Sequence, residues 1–196
     1  LSGADFAQAQ FDDCELSGAN LTKAQFIGAT LNNTKAVGTT FEKANFTTAS
    51  LIKSDFSQVN ATEADCSAAL FDNCVLDNAV FLKANLSTTR MKACSMSGTS
   101  LKESDLSRWM VMESDLSAVV FGQNNLSQAM LMNANLSGQQ FPECDLTLTL
   151  FIEANLQGAN FSGASMLQTQ FSMYISHFSI YTHLLCKHTF IHKLFL

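Results

Sequence analysis

The sequence predicts an all-β solenoid, a chain that coils repeatedly around one core. Three observations lead to this fold class: a five-residue period, a small residue two places before each central apolar residue, and a twenty-residue superperiod. The central positions run from Leu1 to Phe171 in steps of five, and all 35 carry an apolar residue. Self-similarity at a fixed short period is typical of repeat architectures.

The small residues explain how one pentapeptide is built. Of the 34 positions two places before a central residue, 31 carry Ala, Cys, Ser, Thr or Val, and the exceptions are Trp109, Asn124 and Gln139. A period of five fits neither a helix nor a long strand, but a short extended segment places residues i−2 and i on the same side. The next two residues must then turn the chain, so each pentapeptide forms one side of a coil.

The superperiod predicts four sides per coil. Five of the nine glycines are separated from one another by twenty residues or a multiple of twenty. A column of Asp and Asn residues at a different position of the coil shows the same spacing. The glycines are Gly18, Gly38, Gly98, Gly138 and Gly158, and the column is Asp5, Asn45, Asp65, Asn85, Asp105, Asn125 and Asp145. We expect the glycines at a corner that requires a positive φ, and the Asp and Asn side chains to bond the turn backbone. Asp and Asn alternate along most of the column, which avoids stacking carboxylates.

The register A-(D/N)-(L/F), as in Ala4-Asp5-Phe6 and Ala44-Asn45-Phe46, resembles the pentapeptide-repeat family over residues 1–173. The resemblance implies a right-handed quadrilateral β-helix of about 8–9 coils, and therefore a rod about 40 Å long. Thirteen of the 16 phenylalanines occupy central positions. The core ladder on one side of the coil is predicted to contain Phe41, Phe81, Phe121, Phe141 and Phe161.

Five of the six cysteines lie at inward positions of the repeat, four of them at the small position. Burial as small apolar residues explains them. Cys74 and Cys94 are predicted to stack on neighbouring coils, where a disulfide is geometrically conceivable, but two reduced thiols in a core column are the simpler interpretation. Nothing in this pattern indicates an oxidising compartment.

Charge and hydropathy limit the partners. Residues 1–173 contain 17 acidic and nine basic residues, a net charge of −8, which argues against direct nucleic-acid binding. Solubility explains such a surface, although an acidic surface that imitates nucleic acid is compatible with it. The sequence has neither a signal peptide nor an apolar run long enough for a membrane span, so a cytoplasmic location is expected. Leu1 already occupies a central position, so we expect a fragment or a missing N-terminal cap.

One outer face is unusually apolar. On the side that includes residues 111, 131 and 151, the outward positions carry Met110, Met112, Met130, Met132, Leu150 and Ile152. Such a patch is typical of an interface, and Met suits an adaptable one. The patch is predicted to bind a protein partner or a second copy, although cover by the tail or a neighbouring domain, or plain exposure, would also account for it. Trp109 borders the patch at a position that looks too tight for an indole, so we expect it to be displaced outward.

Residues 174–196 depart from the repeat. They contain all four histidines and no Asp, Glu, Gly, Ala, Asn or Gln. A capping helix, a membrane-surface helix and a non-native extension remain alternatives for this tail. Cys186, His188 and His192 lack a fourth ligand at convincing spacing, so no metal site is predicted.

No catalytic or cofactor function is predicted. The repeat contains no histidine for acid–base chemistry, and neither a P-loop nor a dinucleotide fingerprint is present. The first functional hypothesis is a non-catalytic interaction rod; the family resemblance implies that such a rod can be one domain of a larger protein, for example one linked to bacterial secretion. The alternative comes from family members that confer quinolone resistance, which resemble DNA and bind DNA gyrase or topoisomerase IV. This chain lacks their interrupting loop and shows a mixed-charge surface.

Overall fold

A computed structural model describes residues 1–172 of the chain, and within them the secondary structure consists of β-strands, bridges and turns. One side of each coil forms a three-residue strand, and these strands make a nine-stranded parallel sheet in chain order. The strands are β1 (Gln10–Asp12), β2 (Thr30–Asn32), β3 (Ser50–Ile52), β4 (Leu70–Asp72), β5 (Arg90–Lys92), β6 (Met110–Met112), β7 (Met130–Met132), β8 (Leu150–Ile152) and β9 (Gln170–Ser172). No helix among the described residues is long and apolar enough to cross a bilayer.

The twenty-residue register confirms the predicted four-sided β-solenoid. Strand partners such as Phe11 and Leu31 lie one coil apart. The other three sides pair through single bridges at the same offset, for example between Asp5 and Gln25. Eight steps of about 4.8 Å separate β1 from β9, which gives a rod about 38 Å long.

The core is one continuous column inside the coils. The central residues from Leu21 to Leu156 are all buried, together with the inward residue two places before each of them from Ala24 onward. At the two ends of the column, Phe6, Phe11, Phe161 and Phe171 are only partly buried. The core side chains of the terminal coils are therefore less shielded than those in the middle of the column.

The corners use a left-handed residue at almost every turn. Within residues 1–172, the residue two places after the centre has a positive φ at eight glycines and at 25 residues of other types, with Ala118 as the exception. On most sides a β-turn hydrogen bond closes the corner, as where the Ala24 N–H donates to the Leu21 carbonyl at 3.0 Å. The predicted glycine column has φ from 65° to 73°, as expected. Non-glycine residues tolerate this conformation at a cost of about 1 kcal/mol or more each.

The Asp and Asn side chains cap the turns as predicted. All seven members of the predicted column accept a hydrogen bond from the backbone N–H two residues later, at 2.9–3.0 Å. The alternation also works between coils, because the Asn85 and Asn125 amides donate to Asp65 and Asp105 at 3.2 and 3.0 Å. Each amide therefore donates to one carboxylate and separates it from the next aspartate of the column.

The regular ladder is interrupted between the coils of Phe121 and Phe141. In the same column, the Phe81 N–H donates to the Ser100 carbonyl at 2.8 Å. Among the described residues, no corresponding backbone bond joins Phe121 to Gln140. Instead, the Gln139 side chain lies between the coils, donating to the Val119 carbonyl at 2.9 Å and accepting from the Gln140 N–H at 3.2 Å. A side-chain amide here replaces part of a β-ladder.

Candidate protein-interaction surface

The six apolar residues predicted for an interface lie on the outer face of three consecutive strands, β6, β7 and β8. We call this group the methionine patch: Met110, Met112, Met130, Met132, Leu150 and Ile152. The parallel register aligns Met110, Met130 and Leu150 in one row, and Met112, Met132 and Ile152 in a second row. The inward residue of each strand is fully buried in the core. The rigid core therefore holds the patch as a flat surface.

All six residues of the methionine patch are partly exposed rather than fully exposed. Their neighbours in the two rows shield part of each side chain, as expected for adjacent strands about 4.8 Å apart. Leu148, at the corner before β8, is 39% exposed and extends the apolar surface past the strand. The methionine patch is consequently a continuous, partly exposed apolar surface, and none of its side chains protrudes fully into solvent.

Polar residues border the methionine patch at both ends. On β5 the outward residues are Arg90 and Lys92, both exposed, and their strand partners on β6 are Met110 and Met112. On β9 the outward residues are Gln170 and Ser172, also exposed. Apolar residues flanked by charged and polar ones are typical of a binding surface.

Trp109 is fully buried, so its predicted outward displacement is wrong. The indole fits because its surroundings are small: the central residues from Leu86 to Leu116 include no Phe, and Val111 follows it on β6. Its Nε1–H has no hydrogen-bond partner among residues 1–172. The gap in the phenylalanine series is the sequence signal that could have revealed this burial.

The predicted core ladder lies inside the coil. Phe41, Phe81, Phe121 and Phe141 are at most 5% exposed, while Phe161 is partly buried near the end of the rod. The ring of Phe141 stacks on Phe161 at 5.0 Å and contacts Phe121 at 5.2 Å. These residues hold the rod together and do not reach the surface that a partner would contact.

The described cysteines carry free thiols, and four of the five are buried. Burial raises the pKa of Cys74 to about 12 and that of Cys94 to about 11. It also raises the pKa of Cys66 and Cys144. Such thiols are protonated at neutral pH and chemically quiet. Within the described residues, no three His, Cys, Asp or Glu side chains are placed to share a metal ion.

Acidic charge is spread around the rod. The side that carries the Asp5 column has four aspartates and one arginine, and the side that follows the strands has four acidic residues and Lys35. The side containing Lys43 balances four lysines against four glutamates. There Lys43 lies 3.5 Å from Glu63, and Lys83 lies 3.5 Å from Glu103, in exposed pairs of little energetic weight. No side forms a dense acidic stripe within residues 1–172.

The predicted domain boundary at residue 173 and the predictions for residues 174–196, including Cys186 and His188, fall outside the described residues. β9 ends at Ser172, which is the last residue that the structure describes.

A β-solenoid with four pentapeptides per coil defines a repeat protein. The family description "Pentapeptide repeat region" matches residues 4–81, and "Pentapeptide repeats (8 copies)" matches residues 69–108 and 129–166. The chain belongs to the pentapeptide-repeat family. Neither description covers residues 109–128, the stretch that contains Trp109 and the start of the methionine patch. No curated protein matches the sequence.

Solved structures resemble the chain at low sequence identity. A trypsin-treated variant of QnrB1, a plasmid-mediated fluoroquinolone resistance protein, is 18% identical, with a TM-score of 0.56 over 84% of this chain and 83% of that one. Full-length QnrB1 is 20% identical, with a TM-score of 0.49 over 85% and 78%. Rfr23 from the cyanobacterium Cyanothece 51142 is 18% identical, with a TM-score of 0.42 over 61% and 89%. At these identities the likeness concerns the fold alone.

Proposed function

We propose that the chain is a non-catalytic interaction rod whose methionine patch binds a short apolar segment of a partner protein. The observation that carries this proposal is the continuous apolar surface on β6–β8, held flat by a buried strand core. The outward positions on either side of this surface are polar, and a contiguous apolar area with a polar border is typical of a binding surface. Methionine side chains also adapt to varied partner shapes.

The size of the methionine patch favours a segment over a whole protein face. Three strands of three residues cover roughly 150 Å², whereas a stable interface buries about 800 Å² on each partner. Two to three turns of a helix span about 11–16 Å, which matches the height of the patch. A second copy bound through the patch alone would bury too little area for a stable dimer.

The charged residues at the border of the patch favour one orientation of the bound segment. Arg90 and Lys92 are exposed beside the patch on β5, so an acidic group next to the apolar residues of the segment would meet them. Rim charges of this kind mainly set orientation and association rate. The preferred partner segment is therefore apolar with an acidic residue at one end.

Selection from phage-displayed random peptides against the full chain tests this proposal. We expect enriched sequences with apolar residues at helical spacing beside Asp or Glu, and a loss of peptide binding of at least about tenfold in the variant Met130→Asp/Met132→Asp. The matched control is Thr30→Asp/Asn32→Asp, at the equivalent outward positions of β2, which should bind peptide as the parent does. Circular dichroism should show the same β content in all three proteins.

Two results would overturn the proposal. One is peptide binding that survives in the Met130→Asp/Met132→Asp variant. The other is concentration-dependent sedimentation of the parent as a stable dimer that this variant abolishes, because the occupant would then be a second copy.

The alternative function, imitation of DNA toward DNA gyrase or topoisomerase IV, rests on the family resemblance. Duplex DNA carries one negative charge per about 1.7 Å, or about 22 charges over the length of this rod. The repeat carries a net charge of only −8, divided among its sides. A supercoiling assay with purified gyrase, with and without a quinolone, tests the alternative. If excess protein leaves the supercoiling activity unchanged both with and without the quinolone, the alternative function is excluded.

A further inference from the structure

Four methionines of the patch form two aligned pairs on neighbouring strands. Met110 pairs with Met130, and Met112 pairs with Met132, in the register of β6 and β7. Each strand reads Met-x-Met, so both methionines of a strand point outward while the residue between them is buried. The result is a two-by-two array of thioethers on one flat surface.

The spacing of this array suits a single ion. Neighbouring strands lie about 4.8 Å apart, and residues i and i+2 of a strand lie about 6.6 Å apart, so the four Cα atoms mark a small rectangle. The centre of that rectangle lies about 4 Å from each Cα in the plane of the sheet. Methionine has three rotatable side-chain bonds, which allows its sulfur to reach a point above the centre.

Thioether sulfur is a soft, neutral ligand. Soft sulfur ligands select Cu(I), whereas carboxylates, carbonyls and water suit Mg²⁺, Ca²⁺ and Mn²⁺. The apolar residues Leu150 and Ile152 continue the rows of the array on β8, which limits access of water to one side. Arg90 and Lys92 continue the rows on β5, and their charges oppose cations in proportion to the charge of the ion. Thioether ligands therefore disfavour hard dications.

The buried thiols do not compete for the ion. Cys66, Cys74, Cys94 and Cys144 lie inside the coil, and a thiol must lose its proton to become a strong metal ligand. Burial raises the pKa of all four, to about 12 for Cys74 and about 11 for Cys94. Among the described cysteines, only Cys14 is partly exposed, near the other end of the rod.

We propose that Met110, Met112, Met130 and Met132 bind one soft monovalent cation, Cu(I), for which Ag(I) is the redox-stable probe. Binding involves no electron transfer: the ion leaves water and takes sulfur ligands with its charge unchanged. The inference is independent of the proposed function, because the sulfur atoms hold the ion and no bound peptide is needed.

Titration of the full chain with Ag(I) in chloride-free buffer tests the proposal. The parent for this experiment carries Cys14→Ser and Cys186→Ser. The leucine variant carries the same two substitutions and, in addition, Met110→Leu, Met112→Leu, Met130→Leu and Met132→Leu. The tail histidines are common to both proteins. We expect the parent to bind one more equivalent of Ag(I) than the leucine variant, by calorimetry and native mass spectrometry. The leucine variant keeps the apolar surface, so peptide binding should persist in it, whereas the one equivalent of Ag(I) assigned to the four methionines should be lost.

Methyl resonances give an independent readout. With ¹³C-methyl-labelled methionine, Ag(I) should shift the four patch methyls and leave the buried Met91 and Met96 in place. Replacing Arg90 and Lys92 by Gln should strengthen binding several-fold, because two opposing charges are removed. Equal stoichiometry in the parent and the leucine variant, or unshifted patch methyls at saturation, would overturn the proposal.

Discussion

Single side chains set the electrostatics of each corner, as Asp115 illustrates. Hydrogen bonds from the Ser117 hydroxyl, the Ser117 backbone N–H and the Asn135 amide hold the pKa of Asp115 below its usual value. The distances are 2.9 Å from the Ser117 N–H and 3.0 Å from Asn135. One coil further on, Asn135 accepts from Asn155 in the same way, at 3.0 Å. An amide can therefore occupy this position without changing the fold.

Asp115→Asn is expected to make the rod less sensitive to acid. A lowered pKa in the folded state contributes stability at pH values above the unfolded pKa of about 3.9, and that contribution is lost as the pH falls through the folded pKa. The parent should have the higher free energy of unfolding at pH 6, and the two proteins should converge toward pH 3. Urea unfolding at both pH values measures the difference. A gap that stays constant with pH would contradict this account.

Asn124 carries a local exception to the repeat. Its Oδ1 accepts from the Gly122 N–H at 2.8 Å, and its Nδ2 donates to the Ser104 carbonyl at 3.1 Å and to the Leu101 carbonyl. The repeat pattern favours Ala at this position, but the backbone here has adapted to an amide. The sequence pattern therefore predicts that Ala would be tolerated at position 124, whereas the hydrogen bonds of Asn124 predict that Ala would destabilise the fold.

Asn124→Ala is expected to lower the free energy of unfolding by about 1–3 kcal/mol, because it leaves buried backbone groups without partners. Cys144→Ala is the matched control in the same inward column of the next coil, where the thiol makes a long contact of 3.6 Å to the Pro142 carbonyl. The control should change stability by clearly less. A stabilised Asn124→Ala variant would show that the repeat pattern outweighs the local network.

At the scale of the element, neighbouring coils are joined unequally. Phe rings contact one another from Phe6 to Phe56 and again from Phe121 to Phe171. No ring pair links these two groups within the described residues. The position where the backbone hydrogen bond between Phe121 and Gln140 is missing lies at the start of the second group. Since each coil contacts only its neighbours, such an interface is where opening should begin.

Amide hydrogen exchange should detect this weak interface. The Phe121 N–H is expected to exchange at least about tenfold faster than the Phe41 and Phe81 N–H groups, which donate across the same side of the coil at 2.7 and 2.8 Å. Exchange rates report local opening of this kind. Equal protection of the three amides under native conditions would mean that the interrupted rung does not weaken the rod.

The regular elements could be predicted from the sequence, whereas the exceptions could not. The positions of Asn85 and Gly98 follow from the period alone, because a turn repeated in every coil needs the same residue chemistry each time. Burial of Trp109 depends on the volumes around it, and the role of Gln139 depends on a neighbouring coil. The methionine patch could be placed on one face from its spacing, because residues twenty apart share a side of the coil.

At the scale of the whole molecule, the coil length fixes which residues share a side. Deletion of residues 41–60 removes one full coil, so every later residue keeps its side and its register. Deletion of residues 41–50 preserves the pentapeptide pattern but rotates all later sides by half a coil. Each column of residues before the deletion would then stack on a different column after it, so the Asp and Asn residues would no longer lie above one another.

We expect the twenty-residue deletion to retain a cooperative fold and a rod about 4.8 Å shorter. The ten-residue deletion should unfold at a clearly lower urea concentration, although it removes less of the core. Circular dichroism, urea titration and small-angle scattering measure these outcomes. Equal stability of the two deletions would mean that side-specific columns contribute little.

The closed twenty-residue coil also has a consequence for how such a rod evolves. A recombination event that duplicates or removes the stretch of DNA coding for one coil changes the reach of the protein by a fixed step. The methionine patch on β6–β8 would survive any such event elsewhere in the repeat, because every remaining coil keeps its neighbours. The length of the rod and the methionine patch can therefore change independently, and recombination can adjust the length in fixed steps while the patch is kept.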